Sequence, residues 1–296
     1  MSGVMGPQRA LGILLLSVLL GLPTVGRSDS PGPCGQAQRI PTRFSNALSA
    51  TQFLQRVQPL DDDARESAIR DELLAGNLPQ FLHRLVPVKL NVPAPISKTV
   101  TLCSLPDYIS IGSDSDFVIT PMRLGTALRI ARQFGFLLPT PRMVDAIYAQ
   151  SNIHLAPQPL TPSADMRSVA YFKRHNTLIL AQRAALDSPL DLLIAGHKKD
   201  LVLTNQLWTH PRRVAIYGWH RVNGHPIQPL STVHGARYAD YSHGVRLISD
   251  TAYVDGVATP LLKLLQDPQY AFALTGEGPI QRITTLLGTL MATGSN

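Results

Sequence analysis

The chain has 296 residues, of which 44% are hydrophobic and 16% are charged, and this is enough to bury a substantial core in one large domain or two small ones. Its formal net charge is +7, but lysine and arginine are spread thinly, without the basic runs or basic–aromatic alternation of a nucleic-acid groove. We therefore expect no nucleic-acid partner. The charge favours anionic partners such as cell-wall polymers, acidic polysaccharides or a lipid surface, although a merely basic surface explains it equally well.

Residues 1–26 have the pattern of a secretory signal peptide. Arg9 supplies a positive charge, and the apolar run 11–22, interrupted only by glycine and serine, precedes Pro23 and a small-residue end. The run is shorter than the ~20 residues of a membrane-spanning helix, and no later segment reaches that length. We expect a secreted or periplasmic protein without a stable membrane span after signal cleavage. An uncleaved membrane anchor is the alternative.

The two cysteines, Cys34 and Cys103, both follow the predicted signal peptide. Thiols pair in an oxidising compartment, so we predict one disulfide that joins an N-terminal arm, residues 27–46, to a strand. A catalytic Cys103 is the alternative, but its strand-like surroundings contain no adjacent histidine that would activate it.

Residues 47–296 are predicted to form a single α+β domain. The N-terminal part is helical, at 47–57, at 62–75 and in a short turn at 79–85. The period of the apolar residues then changes to two, which predicts short strands at 86–90, 98–104, 107–111 and 117–120. Thr120-Pro121 and Thr140-Pro141 each place a capping hydroxyl before a proline and predict the starts of two amphipathic helices.

The second half of the domain is predicted to complete a mixed or antiparallel sheet. Residues 152–164 contain three prolines and should run extended, and 166–180 is interpreted as irregular chain that enters a strand at 177–180. Asn223-Gly224 predicts a hairpin within the region 213–254. The strands expected around it are 214–220, 226–230 and 245–253. Asp255-Gly256 should then turn the chain toward a helix that is capped by Thr259-Pro260, and a last helix is expected at 279–291.

Residues 217–247 contain four of the nine histidines, namely His220, His225, His234 and His243. Histidine is the usual general base, proton shuttle and metal ligand near neutral pH, so this density predicts a functional site. A polar surface hairpin is the alternative. The predicted catalytic residues are His220, His234, Asp240, Ser242, His243 and Arg246. The predicted substrate-binding residues are Trp219, Gln228, Tyr238, Tyr241 and, from a second loop, His197 and Lys198.

The order Ser242-His243-Gly244 with Arg246, preceded by His234-Gly235 or by Trp219-His220, resembles the signature of L,D-transpeptidases. In that family a His-Gly pair precedes a Ser-His-Gly-Cys-x-Arg segment. The resemblance covers residues 216–247 and implies chemistry on peptidoglycan stems, with a cysteine nucleophile, a histidine base and a positioning arginine. Val245 follows Gly244 in this chain, so the nucleophilic cysteine is absent and one residue is missing before the arginine.

Three mechanisms follow from these residues. In the first, His243 or His234 acts as a general base on water or on Ser242, and Asp240 orients the imidazole. In the second, a metal that activates water is bound by two or three residues of the set His197, His220, His225, His234, His243 and Asp240. Zinc is the candidate, but no metal-binding spacing supports it, so the metal ligands stay unknown and no other cofactor is expected. In the third, Trp219, Tyr238 and Tyr241 stack on a glycan or peptide without turnover.

We therefore predict a hydrolase or transferase of an extracytoplasmic polymer, with peptidoglycan as the first candidate. A non-catalytic cell-wall or glycan-binding protein and a metal-dependent hydrolase are the alternatives. We further expect His243 to be partly open to solvent, within hydrogen-bond reach of Asp240, Ser242 or another histidine, in a cleft shared with His220.

Overall fold

The computed structural model describes residues 1–4 and 33–293, and residues 33–293 belong to one compact unit. Most of the predicted signal peptide and the first part of the predicted arm lie outside the described residues. Helices and mainly antiparallel sheets make up the described part, which confirms the α+β class. No helix of the described ranges is long and apolar enough to cross a bilayer.

The helices and strands have the following bounds. The helices are α1 Ala50–Val57, α2 Asp62–Leu74, α3 Leu124–Phe134, α4 Pro141–Gln150, α5 Val169–Ala185, α6 Gln206–Thr209, α7 Leu261–Gln266, α8 Pro268–Thr275 and α9 Ile283–Thr293, with 3-10 turns at Gln80–His83 and Ala164–Arg167. The strands are β1 Val86–Val92, β2 Lys98–Ser104, β3 Ser110–Ser113, β4 Asp116–Ile119, β5 Phe136–Leu137, β6 Ile153–His154, β7 Ile194–Ala195, β8 Lys199–Leu201, β9 Ile216–His220, β10 Pro226–Ser231, β11 His243–Gly244, β12 Ile248–Ser249, β13 Thr251–Val254 and β14 Val257–Pro260.

The N-terminal helices begin where the sequence places caps. Ser49 and Gln52 form a capping box at α1, and the Asp61 carboxylate accepts hydrogen bonds from two backbone amides of the first turn of α2. The arm is attached to the domain by the Cys34–Cys103 disulfide, as predicted, and by burial of Ala37 and Ile40. The described part of the arm, residues 33–46, is therefore packed against the domain.

A six-stranded sheet forms the centre of the domain. Its order is β14-β13-β2-β12-β5, and β1 pairs with β2 in register from Val86–Ser104 to Val92–Lys98. The inward side chains of β1 and β2, which include Val88, Leu90, Val100 and Leu102, are buried in the main core. This sheet supports the smaller sheet that carries the candidate site.

The smaller sheet has the order β10-β9-β8-β11. The predicted hairpin joins β9 to β10, with Gly224 at a φ of 86° and the Asn223 side chain accepting from the His225 amide. Strand β11 runs parallel to β8, whereas β8 and β9 are antiparallel, so the sheet is mixed. The parallel pairing places the end of the 217–247 region directly beside the loop His197–Asp200.

Several element predictions were wrong. Residues 166–180 belong to a 3-10 turn and helix α5 instead of a strand, because the buried face of α5 includes polar His175, Asn176 and Arg183, which hides its helical period. Thr120 does not cap a helix, since its hydroxyl donates to the Val118 carbonyl, and α3 begins only at Leu124.

Two further boundaries differ near the sheet edges. The region 107–111 is not a strand at its start, because Asp107 and Tyr108 turn inward to bind other buried side chains, and β3 begins at Ser110. The region 245–253 divides into β12 and β13, and Asp255-Gly256 forms a turn to β14 instead of leading directly into a helix. Thr259 lies within β14, and α7 has no side-chain cap.

Candidate functional site

The small sheet brings three separate segments together. His243 on β11 lies opposite Lys199 on β8, and Lys199 lies opposite Gly218 on β9. The segment 231–242 connects β10 to β11 and carries His234, Tyr238 and Asp240. The sheet therefore joins the two predicted parts of the site, the region 217–247 and the loop before β8.

Asp240 is at the centre of the cluster and is almost fully buried. One carboxylate oxygen accepts hydrogen bonds from the Ser242 amide at 2.8 Å and the Ser242 hydroxyl at 2.6 Å, and the other accepts from the Tyr238 hydroxyl at 2.9 Å. Burial by itself raises the pKa of this carboxyl, but nearby His243 and the bonds from Ser242 bring the pKa below its ordinary value. Asp240 is thus a buried anion at neutral pH.

His243 is buried beside Asp240, and burial lowers its pKa to about 4. Its ring centroid is 6.1 Å from that of His234 and 5.7 Å from that of Tyr238. Neither ring nitrogen has a hydrogen-bond partner among the described residues. We expected this ring to be partly exposed and to form a hydrogen bond, and both predictions were wrong, because β11 lies inside the domain. The residues around the His243 ring are nevertheless polar and aromatic.

His234 and Lys199 are the half-exposed basic groups of the cluster. The His234 ring stacks on Tyr238 with centroids 4.2 Å apart, and the Lys199 ammonium lies 4.9 Å from the centroid of the Trp219 ring. Partial burial lowers the pKa of both groups, and Asp240 partly offsets that effect. These two side chains, and not His243, are accessible to a substrate.

Tyr238 also lines an open pocket of about 590 Å³. The other lining residues are charged and come from α2 and three loops, namely Asp61, Asp62, Asp63, Arg123, Arg167 and Arg237. Asp63 pairs with Arg123 at 2.5 Å and with Arg237 at 2.6 Å, Asp62 pairs with Arg167, and the Arg167 guanidinium lies 5.7 Å from the Tyr238 ring centroid. The sequence analysis did not predict this pocket, because it assigned no functional residue to the helix expected at 62–75.

His220 does not share this cluster. Its Nε2–H group donates to the Asp145 carboxylate at 3.1 Å, and the ring stacks on Tyr148 with centroids 4.6 Å apart. Asp145 also accepts from the Tyr217 hydroxyl at 2.8 Å. The expected cleft between His220 and His243 was therefore wrong, because β9 directs His220 toward α4. His225 lies exposed on the hairpin.

Arg246 and His197 belong to a second, buried polar network. The Arg246 guanidinium donates to the carbonyl oxygens of Leu105 and Ile194 and lies 4.4 Å from the Tyr108 ring centroid. His197 bonds to Asp107 at 3.0 Å, and Asp107 also pairs with Arg183. In the same region, Tyr108 donates to Asp200. Arg246 and His197 thus brace the backbone and are not available to a substrate.

The other predicted substrate-binding residues differ in exposure. Gln228 is half-exposed on β10, where its amide donates to the Pro229 carbonyl. Lys198, Trp219 and Tyr241 are buried under residues 156–163, and the Ser242 hydroxyl is buried as a donor to Asp240. The predicted region is one neighbourhood, but its open surface is smaller than the sequence suggests.

Among the described residues, no three His, Cys, Asp or Glu side chains are arranged to hold a metal ion. Searches of protein-family models, curated proteins and solved structures gave no match to this chain.

Proposed function

We propose that the protein is an exported hydrolase or transferase of an extracytoplasmic polymer, with peptidoglycan as the first candidate, and that its reacting groups are His234 and Lys199. The single observation that carries the proposal is the surroundings of Asp240. A buried carboxylate with three hydrogen bonds lies beside two histidines and a half-exposed lysine, and Tyr238, which donates one of those bonds, lines an open pocket. Such concentrations of perturbed titrating groups beside a pocket are typical of active sites.

His234 has the properties of a general base in this proposal. Its lowered pKa keeps the imidazole neutral at pH 7, so that it can accept a proton from an incoming nucleophile. The Asp240 carboxylate favours the imidazolium that forms, and stacking on Tyr238 holds the ring in one orientation. The Lys199 ammonium is available to stabilise negative charge on a reacting carbonyl oxygen.

The nucleophile in this mechanism comes from outside the protein. Ser242 is buried and its hydroxyl donates to Asp240, while Cys34 and Cys103 are bonded to each other. His234 would therefore activate water in a hydrolase, or an acceptor hydroxyl or amine in a transferase. In both cases the nucleophile gives its proton to His234 as it adds to the carbonyl carbon of the substrate, and the imidazolium returns that proton to the leaving amine or alcohol as the bond to the carbonyl carbon breaks.

The pocket beside Tyr238 supports a substrate with charged groups. Three arginines and three aspartates line it, so it suits a ligand that carries carboxylates, with or without amines, better than an uncharged one. Peptide stems of a cell wall have this chemistry, and the net charge of +7 favours approach to an anionic polymer. The disulfide is compatible with an exported protein.

A non-catalytic binding protein is the second candidate, and the burial of His243 favours it. A histidine that is 0% exposed cannot touch a substrate, which leaves only His234 and Lys199 as reacting groups. In this alternative the same pocket holds an anionic polymer without turnover.

Incubation of the mature protein with isolated cell-wall polymer tests the two candidates. Release of soluble fragments or exchange of a labelled acceptor is the readout for an enzyme, and co-sedimentation is the readout for binding. We expect His234→Gln to reduce turnover by about 100-fold or more while co-sedimentation is unchanged, and the exposed hairpin variant His225→Gln to match the wild type. Co-sedimentation without any turnover by the wild type would favour the binding protein, and neither signal would exclude this polymer as the substrate.

A further inference from the structure

A second group of unusual side chains lies under residues 156–163, which we call the strap. This proline-rich segment has no regular structure, and its neighbouring residues Pro159 and Thr161 are exposed. Leu160 alone turns inward and packs with Phe172, Trp219 and Tyr241 in an apolar cluster that is separate from the main core. The Tyr241 hydroxyl accepts from the Leu160 amide at 2.8 Å. Leu160 therefore covers one side of this cluster, and the partly buried Met166, Tyr171, Leu178 and Ile227 pack against the rest of it.

Lys198 lies within this covered region and is 1% exposed. Its amine donates to the Tyr241 carbonyl at 2.6 Å and contacts Nδ1 of His175 at 3.1 Å. Among the described residues it forms no ion pair; Asp240 and Asp107 act on it only from a distance. A buried ammonium without a paired acid is costly, and burial lowers the pKa of Lys198 to about 7.

Trp219 borders Lys198 and has two unusual features, one in its backbone and one in its side chain. Its φ is 54°, in the left-handed region that a bulky residue rarely adopts, and its indole nitrogen is buried without a hydrogen-bond partner among the described residues. Backbone strain and unpaired buried donors are retained mainly where function requires them. Both occur here next to a buried amine without an acid partner.

We propose that Lys198 is the reactive amine of a second site, which condenses with the carbonyl group of an aliphatic aldehyde or ketone, and that the strap is the cover of this site. Leu160 occupies the space of the ligand's aliphatic part in the closed state. Lysines that are desolvated in an apolar pocket are the ones that form imines. This site is independent of the function proposed for His234.

The condensation involves no change of oxidation state. The lone pair of the neutral amine forms the C–N bond as the carbonyl π pair moves to oxygen. His175, which burial keeps neutral, is positioned to pass a proton from nitrogen to that oxygen. The resulting hydroxyl takes up a second proton, supplied by solvent, and leaves as water as the nitrogen lone pair forms the C=N bond, so that a protonated imine remains on Lys198.

Reductive trapping of the full mature protein tests the proposal. The probe is isovaleraldehyde, whose carbon skeleton matches the leucine side chain, with cyanoborohydride to reduce any imine, and mass spectrometry assigns the modified lysine. Lys199 is the matched control because it is adjacent in sequence and half-exposed. Leu160→Ala loosens the strap, and Leu290→Ala removes a buried leucine from α9, at a site outside the strap's cluster.

We expect trapping at Lys198 in the wild type, at least about tenfold faster trapping in Leu160→Ala, and no acceleration in Leu290→Ala, because only the first variant favours local opening of the strap. The rate at Lys198 should rise with pH through a midpoint near 7. Modification of Lys199 without Lys198 in both the wild type and Leu160→Ala would overturn the proposal. Equal acceleration by the two leucine variants would overturn the role of the strap, since it would indicate global unfolding.

Discussion

The ring of His234 lies almost parallel to the ring of Tyr238, with an interplanar angle of 10° and centroids 4.2 Å apart. The same tyrosine donates its hydroxyl hydrogen to Asp240 and forms part of the pocket wall. Tyr238 therefore connects the open pocket, the accessible imidazole and the buried carboxylate. We therefore expect a substitution in the pocket, at His234 or at Asp240 to affect the other two parts through Tyr238.

Replacement of His243 by leucine should stabilise the protein at pH 7. The imidazole is buried with both nitrogens unpartnered among the described residues, and an apolar side chain of similar size removes that desolvation cost, by roughly 1–2 kcal/mol. Urea unfolding of both proteins measures the difference, and exposed His225→Leu is the control. A loss of more than about 2 kcal/mol would indicate that His243 makes a stabilising interaction in the folded protein.

The same variant should change how stability depends on pH. The pKa of His243 is about 4 in the folded protein and 6.5 in its reference state, so between these values the unfolded chain binds a proton that the folded protein does not. This histidine therefore lowers stability as the pH falls from 6.5 to 4. Asp200 acts in the opposite direction, because its raised pKa of about 6 makes the folded protein bind the extra proton between pH 6 and 3.8.

Comparison of the wild type with His243→Leu isolates the contribution of the histidine. The stability advantage of the variant should grow between pH 6.5 and 4, by an amount on the order of 2–3 kcal/mol, and stay constant below pH 4. Denaturant midpoints at several pH values provide the measurement. An advantage that is independent of pH would mean that the histidine titrates normally.

Asp240 and Arg237 should affect different kinetic constants. Asp240→Asn removes the charge that favours a protonated His234, so we expect kcat to fall by about 100-fold or more. Arg237→Ala removes a pocket cation, so KM should rise while kcat changes by less than about threefold. Arg39→Ala is the matched control, because Arg39 also pairs with an exposed aspartate but lies outside this pocket. An equal effect of Arg237→Ala and Arg39→Ala on KM would argue against the pocket as the binding site.

The disulfide should make a large contribution to stability. Cys34 and Cys103 are 69 residues apart, and the chain-entropy model gives ~4 kcal/mol for a loop of that length. Denaturant unfolding of the wild type and of Cys34→Ala/Cys103→Ala measures this contribution. Intact mass after alkylation should show no free thiol in the native protein and two after reduction, and alkylation of both thiols in unreduced, unfolded protein would contradict the bridge.

Features with a local cause could be predicted from the sequence. The starts of α2 and α4, the Asn223-Gly224 hairpin and the α+β class all depend on residues that are close together in the chain. Helix α5 was missed because its buried face is partly polar. Its Asn176 side chain bonds to the backbone of β4, and its Arg183 pairs with Asp107, so distant partners make those residues acceptable in the interior.

In the candidate site, too, features with a local cause could be predicted and features that depend on distant contacts could not. The sequence predicted that the histidine-rich region 217–247 and the segment 197–200 contribute to one site, and the small sheet does bring these two segments together. The exposure of each side chain could not be predicted from the sequence. His243, Ser242, Arg246 and Lys198 were expected at a surface and are buried, whereas the charged pocket comes from α2 and loops that lie far away in the chain.

By itself, the sequence determined the starts of α2 and α4, the hairpin turn, the cysteine pair and the region where titrating groups are concentrated, because caps, turns and composition act over a few residues. Only the tertiary structure decided which of those groups reach solvent and which partners they have. The parallel pairing of β11 with β8 buries His243, and the antiparallel pairing of β8 with β9 leaves His220 with Asp145. Burial and hydrogen bonding depend on contacts between segments distant in the chain, and these contacts set the pKa and accessibility of every residue in the site.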